Sequence, residues 1–279
     1  MTAPARQALS GATAQLAAGG CDTPRLDAEL LLAHVLGVSR ERLYAGDDLG
    51  LDGAAQRALH ESVRRRASAR EPVAYITGRR AFRHLNLAVD RRALIPRPET
   101  ELLVEAALAL PAGARVLDVG TGCGAVALAL AQERPDLSVT ASDISREALA
   151  LARENARRLG LEVRFVQSDL LGGLRDEFDA LVANLPYVAE TQRATLAPEI
   201  TRHEPPAALF GGEDGLAKIA ALAAQLPRFA RLALVGLEVG AGQAETVAEL
   251  VRGAGFARAR IEADLAGINR VVIGEGPRA

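Results

Sequence analysis

Hydrophobic and polar positions follow a helical rhythm through the first part of the chain. Residues 5–18 are mostly good helix formers and stop at Gly19-Gly20, a C-terminal stop signal. Pro24 opens a second helix, whose Leu26, Ala28, Leu30, Leu31, Val35 and Leu36 make a broad apolar face before Gly37. Ser39 is placed to cap a short turn through Leu43. Asp52 is placed to cap a longer helix to about residue 69, with Ala55, Leu59 and Val63 at near-helical spacing. This predicts a small helical domain with a boundary near Arg70-Glu71-Pro72.

The rhythm then changes. Ala74-Tyr75-Ile76 and residues 85–89 carry β-type residues, partly alternating, around Gly78-Arg79-Arg80, which predicts a strand pair. Pro96 and Pro98 exclude helix there, and Thr100 is placed to cap a helix starting at Glu101. From Ala114 onward strands and helices alternate. Strands are predicted at 115–119, 138–142, 163–167, 178–183, 232–238, 258–263 and 270–273. Helices are predicted at 125–133, from Ser145 to 159, at 216–226 and at 243–251. Such alternation means an α/β fold, a parallel sheet with helices on both faces. The last two strands, linked through Gly267 without a helix, admit one antiparallel member.

Composition narrows the function classes. A net charge of -2 gives no global basic field for nucleic acid, and aromatics at 3% leave few platforms for stacking bases. Arg64-Arg65-Arg66 reads as the solvated end of a helix. Cys21 and Cys123 have no metal-ligand spacing, and His34, His60, His84 and His203 are scattered, so no metal site is expected. No apolar stretch approaches a membrane span and no signal core follows a basic start, so a reduced cytoplasmic setting is expected.

Two motifs carry chemistry. Asp118-Val119-Gly120-Thr121-Gly122-Cys123-Gly124 lies between a strand and a helix, where glycines let the backbone approach a ligand. Its G-x-G-x-G spacing is not the dinucleotide fingerprint, although Ala125 can fill the last slot, so a nicotinamide cofactor stays open. Asp143, at the next strand end, is positioned to accept hydrogen bonds from ribose hydroxyls. Asp169 and Leu170, one strand further, offer a polar contact and an apolar wall to adenine. The acidic surroundings suit the cationic sulfonium of S-adenosylmethionine better than a pyrophosphate. The second motif is Asn184-Leu185-Pro186-Tyr187, where an apolar run stops. An amide nitrogen is a poor nucleophile and a very weak acid, so it is best gripped by neutral acceptors and aimed. The Asn184 carboxamide and the carbonyl of Leu185 or Pro186 supply such acceptors, and Tyr187 can pack over a planar target. Together the motifs suggest methyl transfer to an amide or amino nitrogen.

The chain resembles the protein-(glutamine-N5) methyltransferases that modify peptide chain release factors. The resemblance rests on residues 25–31, Glu71-Pro72-Val73-Ala74-Tyr75-Ile76-Thr77-Gly78, residues 95–101, the glycine loop, Glu204-Pro205-Pro206, residues 209–215 and Glu238-Val239-Gly240. It implies a Rossmann-like class I S-adenosylmethionine-dependent methyltransferase domain (seven-stranded sheet, one antiparallel strand) over 95–279. It also implies an N-terminal helical substrate-recognition domain over 1–71 and a β-hairpin connector over 72–94. The implied substrate is the glutamine of the Gly-Gly-Gln tripeptide in class 1 release factors, the proteins of translation termination. The alternatives are a glutamine of a ribosomal protein, or adenine N6 of RNA. The implied cofactor site is Gly120, Thr121, Gly122, Cys123, Gly124, Asp143, Asp169, Leu170 and Asn184. Asn184, Pro186 and Tyr187 are the implied catalytic set, and with Leu185 they contact substrate. Position 185 departs from the family pattern, which has proline there. Asn-Leu-Pro-Tyr is also similar to the motif of adenine-N6 ribosomal RNA methyltransferases. A monomer, without direct contact to nucleic acid or membrane, is expected.

Overall fold

The computed structural model describes residues 3–44 and 49–276. The chain divides into two compact units, Met1–Arg79 with Ala197–His203, and Arg80–Leu196 with Glu204–Ala279. In the first, strand β1 (Ala3–Pro4) pairs with β2 (Gly50–Leu51) beside helices α1 (Ala5–Ala18), α2 (Pro24–Leu36) and α3 (Gly53–Ala69). The predicted signals operate as read. Asp52 accepts the Ala55 N–H at 2.8 Å, and Gly37 closes α2 at φ 65°. Leu9, Leu16, Leu31, Leu32, Leu59 and Val63 interlock as the core of this unit.

Three features of this unit differ from the sequence reading. Ala74-Tyr75-Ile76, expected as strand, is part of helix α4 (Val73–Thr77). Pro72 sets its start, Gly78 stops it at φ 69°, and burial of Ile76 in the helical core overrides the β preference. The second feature is helix Pro198–His203, labelled α8 by its place in the chain, which groups with the N-terminal helices. Glu199 pairs with Arg66 and Arg70, each at 2.6 Å, and Arg66 also holds Asp27 at 2.7 Å. The third is Arg66 itself: expected with Arg64 and Arg65 at a solvated helix end, it is buried, and its charge is paired as burial requires.

The second unit begins with a two-stranded sheet, β3 (Arg79–Phe82) and β4 (Leu85–Ala88), turning through Arg83 at φ 47°. The turn is thus at Arg83-His84, not around Gly78-Arg79-Arg80. Then follow α5 (Glu101–Leu108), β5 (Arg115–Val119), α6 (Ala125–Glu133), β6 (Ser138–Asp143), α7 (Arg146–Leu159), β7 (Arg164–Gln167) and β8 (Ala180–Ala183). Beyond α8 come α9 (Ala217–Gln225), β9 (Leu234–Glu238), α10 (Ala244–Gly253), β10 (Arg258–Ala263) and β11 (Asn269–Glu275). The seven-stranded sheet has the order β10-β11-β9-β8-β5-β6-β7, and β11 alone runs against its neighbours. This is the expected α/β fold with one antiparallel strand.

Strand alternation assigns the two faces. Leu117, Leu181 and Val235 meet Leu222 of α9 and Val247 of α10 on one side. On the other, a Cβ at Gly236 would meet Leu103 of α5 and Val182 at 3.4 Å. Two residues on from Gly236 and Val182 are Glu238 and Asn184, so both polar groups emerge toward the start of α5. Thr100 is there, but it does not cap α5. A 3-10 turn, Pro98–Thr100, feeds the helix, and Thr100 itself has helical backbone angles with no side-chain cap bond. Its hydroxyl is left for another partner. Among the described residues no helix is long and apolar enough to cross a membrane.

Candidate active site

A cleft of about 250 Å³ opens at the carboxyl ends of β5, β6, β7 and β8. The strand order reverses between β5 and β8, the position where open α/β sheets hold ligands. Gly120, Thr121, Gly122, Cys123, Asp143, Asp169, Leu170, Asn184, Leu185 and Pro186 all line it. Two expected residues do not. Gly124 starts α6 at φ 90°, and a Cβ there would meet Leu128 at 2.9 Å, so its job is helix packing. Tyr187 is turned to Glu238, to which its hydroxyl donates at 3.2 Å.

The glycine loop is held by the strand beside it. Gly120 and Thr121 donate their N–H groups to Ser142 O at 2.8 and 2.9 Å. Asp143 accepts from Gly122 N at 2.9 Å through one oxygen and from Ser145 N at 2.8 Å through the other. Burial raises the Asp143 pKa, and these N–H groups oppose the rise. Asp118 lies beneath the loop, accepting from the Thr121 hydroxyl at 2.6 Å and Ala127 N at 3.2 Å. Its burial pushes the carboxyl up to about 7. Burial pushes the Cys123 thiol up to about 12, so it stays protonated and fills the loop.

Other groups shape the cleft, and of these Ile144, Lys218 and Asn155 were not singled out from the sequence. Ile144, 56% exposed, follows Asp143 into the cleft as an apolar surface. Leu170 is buried at φ 51°, a conformation leucine rarely adopts, and so is held there by its surroundings. Ser168 Oγ lines the cleft, buried and without a partner among the described residues. Lys218, the only lysine of the chain, also lines it. Asn155 is fully buried and ties three elements together: it accepts Ala88 N at 2.7 Å and donates to Ala88 O and Cys123 O at 3.0 and 2.9 Å. Its only sequence signal was a polar residue on the apolar face of a helix.

The second motif is pinned from behind. Asn184 Nδ2 donates to Thr100 Oγ1 at 3.1 Å, which leaves Oδ1 as the acceptor end of the amide. Leu185 is buried, and its Cδ2 would lie 3.2 Å from a Cβ at Gly120, so it packs under the glycine loop. Residues 209–215 run against the motif. Val188 N donates to Leu209 O at 2.9 Å and Gly211 N to Val188 O at 3.0 Å. A Cβ at Gly211 would come within 2.3 Å of Pro186 O, and one at Gly215 within 2.1 Å of Tyr187 O. Gln243 Nε2 holds Tyr187 O at 3.0 Å while its Oε1 accepts Gly240 N at 2.8 Å. The Leu185 and Pro186 carbonyls accept no hydrogen bond from another described residue. The cleft thus combines an acidic, loop-lined floor with neutral acceptors at one wall. Among the described residues no group of three His, Cys, Asp or Glu is arranged to hold a metal.

Known proteins share this organisation. Residues 7–78 match the family model described as the PrmC N-terminal domain, and residues 98–212 the methyltransferase small domain. A release factor glutamine methyltransferase of Deinococcus radiodurans is 44% identical, with 96% of each chain covered. That of Cereibacter sphaeroides is 42% identical, with 99% of each covered. Among solved structures, a methyltransferase from Pyrococcus furiosus superposes with a TM-score of 0.53 at 19% identity, over 70% of this chain and 90% of that one, a likeness of fold. With relatives this similar along nearly its whole length, the chain belongs to the release factor glutamine methyltransferase family.

Proposed function

We propose that the protein transfers a methyl group from S-adenosylmethionine to the side-chain amide nitrogen of the glutamine in the Gly-Gly-Gln motif of class 1 peptide chain release factors. Residues 1–71 serve substrate recognition, 72–94 connect, and 95–279 carry the chemistry. The cofactor supplies an electrophilic methyl group on a sulfonium. The cleft fits such a ligand. It offers Asp143 to ribose, the orphaned Ser168 Oγ and Asp169 as polar contacts, and Ile144 and Leu170 as apolar walls. Gly120, Thr121, Gly122 and Cys123 border it with backbone.

The observation that carries the reading is the amide of Asn184, with its nitrogen end committed to Thr100. Its Oδ1 and a main-chain oxygen of Leu185 or Pro186 accept the two N–H bonds of the target amide. That grip holds the nitrogen in place and directs its lone pair, without deprotonating a group too weakly acidic to lose its proton first. The proton leaves after methylation, when the nitrogen has become strongly acidic. Tyr187 acts through position: burial, then the negative charge of Glu238, raises its pKa, so its hydroxyl remains a donor at every physiological pH.

Leucine at 185 keeps the carbonyl and places a side chain under the cofactor loop. Mass spectrometry of a class 1 release factor incubated with enzyme and cofactor tests the reading. It predicts one methyl on the glutamine of the Gly-Gly-Gln peptide. Labelling of a ribosomal protein or of RNA, with the release factor unmodified, would replace it.

A further inference from the structure

We propose that the tip of the β10–β11 hairpin, Leu265-Ala266-Gly267-Ile268, is a docking surface for an apolar patch of the folded protein whose glutamine is methylated. The inference rests on the reading of that protein as a class 1 release factor.

The tip has an uncommon composition for a surface turn. Turns facing water are mostly polar, and a run of exposed residues without a polar side chain is unfavourable unless a partner covers it. All four tip residues are exposed. Leu265 is fully exposed and Ile268 is 37% exposed. Among the described residues of the second unit one other large apolar side chain is exposed, Ile144, and it lies in the cofactor cleft.

The tip is also held rigid. Asp264 Oδ1 accepts the N–H groups of Ala266 and Ile268, each at 2.9 Å, and Asp264 Oδ2 accepts from Arg270 Nε at 2.9 Å. Asp264 N donates to Ile268 O at 2.8 Å, and Gly267 N to Asp264 O at 2.9 Å. Gly267 supplies the φ of 76° that the turn needs. Asp264 and Arg270 neutralise each other, so the tip offers apolar surface. An apolar anchor already fixed in place loses little conformational freedom on binding, which suits it to a protein partner.

Its position selects the partner. β11 runs antiparallel to β9 with Val271 opposite Glu238, and β8 lies on the other side of β9 with Ala183 beside Leu237. Asn184, Glu238 and Val271 are therefore level at the end of the sheet where the cleft opens, and the hairpin continues past them. Ile268 is three residues beyond Val271, about 10 Å, and β11 is two strands from β8, about 10 Å sideways, which puts the tip about 14 Å from Asn184. An ordinary protein–protein contact covers about 800 Å² on each partner, a disc about 16 Å in radius. A folded protein that places a glutamine at Asn184 thus reaches the tip within the same contact.

The test compares Leu265→Ser, Ile268→Ser, their double variant and Leu265→Met in the full chain. Steady-state methylation of a class 1 release factor gives KM and kcat separately, calorimetry gives S-adenosylmethionine affinity, and sedimentation gives the oligomeric state. Loss of a leucine anchor buried in the contact should raise KM for the release factor about tenfold to a hundredfold. The kcat at saturating release factor should stay within about twofold and cofactor affinity within about threefold, since the contact is made equally before and during transfer. Leu265→Met should keep KM near the wild-type value. A KM within about twofold of wild type in the double variant overturns the proposal. So does a wild-type dimer that the serine variants dissociate without a change in KM, which would assign the tip to a second copy of the chain. If wild type methylates the release factor and KM does not respond, the docking surface alone is wrong. If wild type leaves the release factor unmodified, the reading of the substrate fails and the docking surface with it.

Discussion

Replacing Asp118 with asparagine removes a carboxyl whose titration is tied to folding. Burial pushes its pKa up from the ordinary 3.8 to about 7. Between those values the native chain keeps a proton that the unfolded chain has released, so the proton favours the native state. That stability is fully present below pH 4 and is lost as pH rises through 7. From pH 5 to pH 8 the loss spans about two pH units, or about 3 kcal/mol at roughly 1.36 kcal/mol per unit. Glu238, also pushed up to about 7 by burial, adds a loss of the same sign and similar size. Asp90 and Glu133, held low by Arg92 and Arg83, act in a different window, losing stability only as pH falls below the ordinary carboxylate range. The asparagine side chain would keep an oxygen for the Ala127 N–H and the Thr121 hydroxyl, so the packing survives. Urea unfolding of the cofactor-free protein at pH 5 and pH 8, followed by circular dichroism, reads the effect. Wild type should lose about 3 kcal/mol more than Asp118→Asn over that interval. Equal losses in the two proteins would show that Asp118 is ionised throughout and refute the reasoning.

Other substitutions test separate parts of the site. Gly215→Ala forces a Cβ to within 2.1 Å of Tyr187 O at a φ of 81°; it should destabilise by more than about 2 kcal/mol in urea unfolding and depress turnover together. Asn155→Ala leaves Ala88 and Cys123 backbone groups unpaired in the interior; a loss of about 3 kcal/mol, with weakened cofactor binding, is expected from the same titrations. Asp143→Asn should weaken S-adenosylmethionine binding by about tenfold to a hundredfold in calorimetry, because a charge-assisted acceptor for ribose is lost. Unchanged affinity there would remove Asp143 from the cofactor site.

Much of the fold is legible because its elements declare themselves locally. Gly37 and Gly160 end helices in the left-handed region, and Asp52 and Ser145 cap the helices they precede. The strands read as apolar runs, each with a polar residue where it meets the cleft. What the sequence hides is tertiary. Tyr75 and Ile76 look β-like, yet a proline before them and the helical core beneath make a short helix. Thr100 looks like a cap, but the 3-10 turn ahead of it takes that role and frees its hydroxyl for Asn184. Glu238 is a strand end among others until β8 and β9 are laid side by side. Helix α8 gives no sign in its own six residues that Arg66 and Arg70 hold it. The glycine loop and the Asn184 motif are visible in advance because backbone freedom and amide chemistry each demand particular residues.

The central claim is that Asn184, beyond its implied place in the cofactor site, orients the amide being methylated. Asn184→Ala measures this directly, with S-adenosylmethionine affinity by calorimetry and single-turnover methylation of a class 1 release factor in parallel. Loss of one preorganised acceptor should slow transfer by about a hundredfold to a thousandfold, with cofactor affinity within about threefold of wild type. Transfer at close to the wild-type rate would contradict the account.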